Sequence, residues 1–220
     1  MRLLEIINQD VPELSLGDNG VNALNLMEQY DVHHLPVVQD GVFIGLISED
    51  EVLTMEQPTA PFYSCKHDFP LIALDSRRHL YDALRLMSDQ RLTLLPVINE
   101  RFHYLGSLRA TDLINALART QAVGANGGVI ELQMNAKDYS LTRIAQIVEG
   151  NDAKILSATL TTRPESEMVQ LTLKINKEDL NAIIQSFNRY DYVVAESYME
   201  PQYTEELRDR YEEFMKYLNM

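Results

Sequence analysis

Cysteine is nearly absent from this 220-residue chain. The single Cys65 excludes an internal disulfide, and with no Cys-x-x-Cys pair there is no zinc-site signature. Long apolar runs are missing as well. The longest are about five residues, as in Leu94 to Ile98, far short of the roughly 20 that a membrane-spanning helix needs. The N-terminus, Met1-Arg2-Leu3-Leu4-Glu5, lacks a signal-peptide core because Glu5 interrupts it. Positive charge is scarce: 19 Lys and Arg stand against 33 Asp and Glu, for a net charge of −14. Nucleic-acid binding relies on clustered basic side chains, so no such partner is expected. Catalytic signatures are missing too, with no P-loop, Gly-x-Gly-x-x-Gly, Gly-x-Ser-x-Gly or His-Glu-x-x-His. No spacing singles out a base for Cys65, and Cys65 with His67 gathers no further metal ligands. These absences leave a soluble, cytoplasmic protein without catalysis or bound metal. Its 45% hydrophobic content suffices for one or two compact domains.

What is present is a repeat. Asn22-Ala23-Leu24-Asn25-Leu26-Met27 returns sixty residues later as Asp82-Ala83-Leu84-Arg85-Leu86-Met87, and Leu35-Pro36-Val37-Val38 as Leu95-Pro96-Val97-Ile98. Gly45-Leu46-Ile47 matches Gly106-Ser107-Leu108 at offset 61. The slip falls in a turn, where Asp40-Gly41 becomes the longer Asn99-Glu100-Arg101-Phe102, and turns tolerate insertion. Each unit reads as β-α-β-β-α. A short strand near Glu13 to Ser15, or Leu71 to Leu74, leads into a helix. Its apolar residues are Val21, Leu24 and Met27, or Leu80, Leu84 and Met87, three or four apart. A strand with proline near its start follows, then a hairpin, and Asp40-Gly41 is a strong two-residue turn signal. A second helix closes each unit, near Glu49 to Met55 and Thr111 to Arg119. Charge divides unevenly between the copies: residues 1–60 carry net −10 and residues 61–120 net +2.

Residues 121–128 are small and glycine-rich, which marks a linker. Beyond it, Val129 to Met134, Lys154 to Thr162, Met168 to Ile175 and Tyr192 to Tyr198 read as strands. Ser140 to Glu149 and Glu178 to Arg189 read as helices, with Gly150-Asn151 stopping the first and Arg163-Pro164-Glu165-Ser166 as a turn. The order β-α-β-β-α-β is the ferredoxin-like arrangement. Tyr139, Tyr190, Tyr192 and Tyr198 read as packing residues. The tail, residues 199–220, reads as an amphipathic helix with Leu207, Tyr211, Phe214 and Leu218 on one stripe.

The strand, helix, Leu-Pro-Val, hairpin and Gly-hydrophobic-hydrophobic-Ser-x-x-acidic pattern resembles the CBS domain. Two in tandem, residues 1–60 and 61–120, resemble a Bateman module, and residues 129–198 resemble an ACT domain. The three-part order resembles acetoin-utilisation protein B type CBS–CBS–ACT proteins. The implied fold class is α+β with α/β character: two paired β-α-β-β-α repeats, a ferredoxin-like domain and a C-terminal helix. The resemblance implies a regulatory homodimer that acts on an unidentified protein partner. Its ligand would be an adenine nucleotide (AMP, ADP or ATP) or S-adenosylmethionine.

In CBS domains that bind adenosine nucleotides, the Ser or Thr and the Asp of the last motif contact phosphate and ribose. The resemblance puts these roles on Ser48 and Glu51 in the first unit, and on Arg109 and Asp112 in the second. A carboxylate suits a ribose diol, and a helix N-terminus suits an anion. Both copies depart from the pattern. Ser48 and Glu51 also form a capping box. Arg109 replaces the hydroxyl, which forfeits a cap worth roughly 1 kcal/mol unless Thr111 caps a shortened helix, but arginine binds phosphate bidentately. The family fold would bring Arg77 and Arg78, in the turn before the second unit's first helix, near the same cleft. The implied base pocket touches His34, Pro36, Leu95 and Pro96. In the ACT-like part the effector turn would be Lys137, Asp138, Tyr139 and Ser140, but it lacks the family's usual glycine and carries a bulky tyrosine. The other reading is a ligand-free oligomerisation and protein-interaction module with degenerate pockets.

Overall fold

The computed structural model describes residues 1–64, 68–162 and 166–199. The predicted tail helix, Cys65, His67 and most of the Arg163–Ser166 turn lie outside them. The chain divides into two compact units, Met1–Leu117 and Ala118–Met220.

The first unit holds both repeats. In the first, α1 (Gly20–Tyr30) precedes β1 (His34–Gln39), β2 (Val42–Ser48) and α2 (Glu49–Leu53). In the second, β3 (Leu74–Asp75) and α3 (Leu80–Gln90) precede β4 (Leu94–Ile98), β5 (Tyr104–Arg109) and α4 (Ala110–Thr120). The hairpin registers are equivalent. Pro36 faces Leu46 and Pro96 faces Ser107; Val37 faces Gly45 and Val97 faces Gly106, with a bulge after each valine. Asp40 and Gly41 both take positive φ, 51° and 77°, as a two-residue type I′ turn requires. The longer second turn uses Phe102 at φ 60°.

Two predicted strands are shorter than expected. Near Glu13 to Ser15 only Leu14 pairs, in a parallel bridge to Val37. The chain curls away because Asp18 Oδ2 accepts hydrogen bonds from the Ser15 amide and hydroxyl, at 2.7 and 2.8 Å. In the second repeat the strand begins at Leu74 rather than Leu71, which is exposed. Helix faces also shift by a residue. The buried positions of α1 are Gly20, Ala23 and Met27, while Val21 is exposed; in α3 they are Leu80, Ala83 and Met87.

Segments preceding the repeats cross over. Residues 1–8 lie against the second repeat: the Leu3 amide donates to the Arg78 carbonyl, and Asn8 and Ser107 exchange both backbone hydrogen bonds at 3.0 and 2.9 Å. Reciprocally, residues 58–64 and 68–70 lie against the first, with the Phe62 amide bonded to the Asp18 carbonyl and the Leu46 amide to the Pro70 carbonyl. The two hairpins meet as well, where Phe43 donates to Phe102 and Tyr104 to Gly41. One shared core results, from Leu3 through Leu35 and Ile47 to Leu95 and Leu108. A repeat of this size buries too little alone, so each is completed by the other's approach segment.

The second unit carries β6 (Val129–Asn135), α5 (Leu141–Glu149), β7 (Ile155–Thr162), β8 (Met168–Ile175), α6 (Asn181–Arg189) and β9 (Val193–Tyr198). Its sheet order β7-β8-β6-β9 is the ferredoxin-like order. Ile130, Leu132, Leu171 and Leu173 on the strands pack with Ile144, Val148, Ile183 and Phe187 on the helices. Leu141, expected on the buried stripe, is exposed. The stop after α5 uses Asp152 at φ 54°, with Gly150 still in a right-handed conformation. Tyr192 packs on Phe187 with rings edge to face at 5.7 Å, but Tyr190 and Tyr198 are exposed rather than packed.

Candidate functional site

The two copies of the last motif occupy the same place, between the return strand and the closing helix. Their chemistry differs. In the first, Ser48 Oγ accepts from the Glu51 amide at 3.3 Å, while Glu51 Oε2 accepts from the Ser48 amide and hydroxyl at 2.7 Å each. Both side chains are thereby committed to a capping box. The helix they start is only five residues long and carries Glu49, Asp50 and Glu51 in its first turn. Those three carboxylates repel an incoming phosphate.

In the second copy the helix is not shortened, and Thr111 is exposed rather than capping. Asp112 instead reaches back, and its Oδ2 accepts from the Arg109 amide at 3.0 Å. The same oxygen accepts from Arg109 Nε at 3.3 Å and from Asn8 Nδ2 at 2.8 Å. Among the described residues, nothing donates to Asp112 Oδ1 and no side chain accepts the Asp112 amide. Arg109 also approaches Asp10, with Nη2 3.6 Å from Oδ2. An exposed pair at that distance contributes little, roughly 0–1 kcal/mol, so a phosphate could displace Asp10 from the guanidinium. The arrangement therefore offers a partly exposed arginine and an open carboxylate oxygen at the N-terminus of an eleven-residue helix. That set suits a phosphate beside a vicinal diol.

Asn8 and Asp10 were not legible as site residues. Only the crossing of the N-terminal segment brings them to Asp112 and Arg109, and no local pattern announces that crossing. Arg77 does not reach this place freely. Its guanidinium is held bidentately by Asp75, at 2.9 and 2.8 Å, and by Glu100 at 3.0 Å. Hydrogen bonds from Arg77 hold the Asp75 carboxyl below its ordinary range. Arg78 is exposed, and its carbonyl receives the Leu3 amide.

His34 is half-buried where the proline-bearing strands approach, and its Nδ1 lies 3.1 Å from Thr93 Oγ1. Burial, reinforced by the neighbouring His33, pushes its pKa down. His33 itself pairs with Glu49 at 2.5 Å. Pro36, Leu95 and Pro96 are buried in β1 and β4. In the second unit Asn135 caps a short helical turn, Ala136–Asp138, that exposes Lys137 and Asp138. Tyr139 packs against that unit's core and Ser140 caps α5, so neither is free to hold an effector. Among the described residues, no three His, Cys, Asp or Glu side chains gather as a metal site, and no helix is long and apolar enough to cross a membrane.

Residues 4–56 and 66–119 match the family model of the CBS domain. Inosine-5'-monophosphate dehydrogenase from Methanocaldococcus jannaschii is 23% identical over 146 residues, which are 66% of this chain and 29% of the dehydrogenase. The chain thus spans less than a third of that relative's length. A CBS domain pair/ACT domain protein from Thermotoga maritima is similar at 22% identity, over 54% of this chain and 98% of the other, with a TM-score of 0.48. A protein assigned to acetoin utilization in Vibrio cholerae is similar at 16% identity, over 56% of this chain and 95% of the other, with the same TM-score.

Proposed function

From a chain whose residues 4–56 and 66–119 are two CBS domains, we infer a regulatory small-molecule sensor without catalysis of its own. Its second CBS domain holds an adenine nucleotide or related adenosyl ligand at Arg109 and Asp112. The observation that carries this reading is the divergence of the two motifs. Ser48 and Glu51 spend their hydrogen bonds on each other, while Arg109 and Asp112 keep an exposed guanidinium edge and an open carboxylate oxygen. Phosphate would displace Asp10 and bind Arg109, and the ribose diol would donate to Asp112 Oδ1. Arg77, paired with Asp75 and Glu100, is neutralised, and Arg78, in the turn before α3, adds positive potential rather than a contact. The protein acts as a cytoplasmic homodimer, with an ACT-like second unit passing the binding signal to a protein partner.

Mass spectrometry of ligand retained through purification, followed by calorimetry with AMP, ADP, ATP, S-adenosylmethionine and NADH, tests this. Binding of at least one, lost in Arg109→Ala, is expected. Binding of none, or binding unchanged in that variant, overturns it. A ligand-free oligomerisation and interaction module is the second reading. It is favoured by the fully committed first motif and by Tyr139 filling the turn where an ACT effector would sit. It predicts a stable oligomer that captures a partner yet ignores nucleotides.

A further inference from the structure

The Asp112 carboxylate is held from two sides, and only one of them belongs to its own motif. Its Oδ2 takes the Arg109 amide at 3.0 Å and Arg109 Nε at 3.3 Å. The third and shortest bond, 2.8 Å, comes from Nδ2 of Asn8, 104 residues earlier in the chain. A carboxylate only accepts, so the amide nitrogen of Asn8 must be the atom that faces it. The Asn8 side-chain oxygen turns the other way and accepts from the Asp10 amide at 3.3 Å. The Asn8 backbone is fixed independently, by its two hydrogen bonds to Ser107. Strand pairing therefore delivers the side chain to Asp112. The first repeat has no such donor. Leu46, equivalent to Ser107 in the hairpin register, gives its amide to Pro70 as Ser107 gives its own to Asn8. A proline side chain has nothing to donate.

Ligand binding would unbalance the three bonds to Oδ2. A phosphate that draws the Arg109 guanidinium toward itself draws Nε with it, and the Nε bond is the longest of the three. The Arg109 amide then fixes the oxygen along one direction only. The Asn8 amide supplies the second direction and stops the carboxylate from turning, which keeps Oδ1 toward the ribose diol. Both side chains of the motif are within reach of solvent, Arg109 at 31% exposure and Asp112 at 20%. Resting on the nucleotide reading above, we propose that Asn8 is a positioning residue of the second CBS domain. It sets the Asp112 carboxylate for a vicinal diol, and so makes the site selective for ligands that carry an intact ribose.

Calorimetry on the full chain with AMP and with 2′,3′-dideoxyadenosine 5′-monophosphate, which lacks the diol, tests this. Wild type should prefer AMP roughly tenfold, the scale of hydrogen bonds to a charged acceptor. Asn8→Ala should weaken AMP roughly fivefold to tenfold and leave the dideoxy nucleotide unchanged, so that the preference collapses. Asn8→Asp keeps the size of the side chain and the acceptor for the Asp10 amide, and removes only the donor. It should lose the preference as well, which keeps the test readable if Asn8→Ala proves unstable. Equal weakening of both nucleotides would make Asn8 merely structural and overturns the assignment. So does a preference that survives in both variants, and either result leaves the nucleotide reading standing. A wild type that binds both nucleotides alike overturns the pairing of Asp112 with the diol, and this proposal with it. A wild type that binds neither overturns the nucleotide reading itself.

Discussion

A Cβ at Gly106 would lie 2.6 Å from the Asn8 carbonyl oxygen, and one at Gly45 would lie 2.8 Å from that of Phe69. Each glycine sits under a crossing segment, which explains why both copies of the repeat keep one there. Gly106 also has φ +144°, where a side chain is strained. Gly106→Ala should therefore cost about 1–3 kcal/mol of stability by urea denaturation, and more than a matched alanine substitution at the exposed Gly124. At the same scale, His34 has a depressed pKa because it is half-buried beside His33. Its folded-state pKa lies below its unfolded one. The unfolded chain therefore takes up the proton first, and stability held above pH 6.5 is lost as pH falls through the folded value. Wild type should lose more urea resistance between pH 7.5 and 5.5 than His34→Gln does. Equal losses would show that His34 carries none of the acid sensitivity.

The helix starts form the next scale. Ser48 caps α2 through its own hydroxyl, so Ser48→Ala should lose about 1 kcal/mol. Arg109 offers no acceptor to α4, and the link there runs from the Asp112 carboxylate to the Arg109 backbone amide. Arg109→Ala should then change folding stability by less than about 0.5 kcal/mol. Urea denaturation of both variants checks the contrast. Much at this scale was legible in the sequence, because local chemistry decides it: the Asp40-Gly41 turn, the Ser48–Glu51 box, the alternation of Val169 to Ile175. Shorter elements were misjudged. Pairing at Glu13 to Ser15 shrinks to Leu14 because Asp18 competes for the Ser15 donors. The stripe on α1 moved because Gly20, not Val21, faces the core: a Cβ there would meet Val52 and the Pro58 carbonyl. Asn8 and Asp10 were invisible as site residues for a different reason. Their position depends on a segment crossing between repeats, and nothing within residues 1–10 encodes a contact a hundred residues away.

For the whole molecule, the uneven charge now has a structural counterpart. The acidic excess of residues 1–60 includes the three carboxylates that open α2, and the more basic residues 61–120 contain Arg109. Leu53 on α2 and Ile114 on α4, equivalent positions of the two repeats, are 64% and 65% exposed. Leucine and isoleucine this open at both matching sites favour a covered face in the proposed homodimer. Leu53→Glu combined with Ile114→Glu should convert dimer to monomer in sedimentation velocity while helix content by circular dichroism stays unchanged. A dimer that persists would remove these helices from the interface. The central claim is that the second CBS domain, and not the first, takes a phosphate-bearing adenosyl ligand. Calorimetric titration of AMP into wild type, Arg109→Ala and Ser48→Ala tests it most directly. The account predicts binding to wild type and Ser48→Ala alike, with at least a tenfold loss in Arg109→Ala, the scale of a charge-assisted contact. Binding that survives in Arg109→Ala and is lost in Ser48→Ala would contradict it.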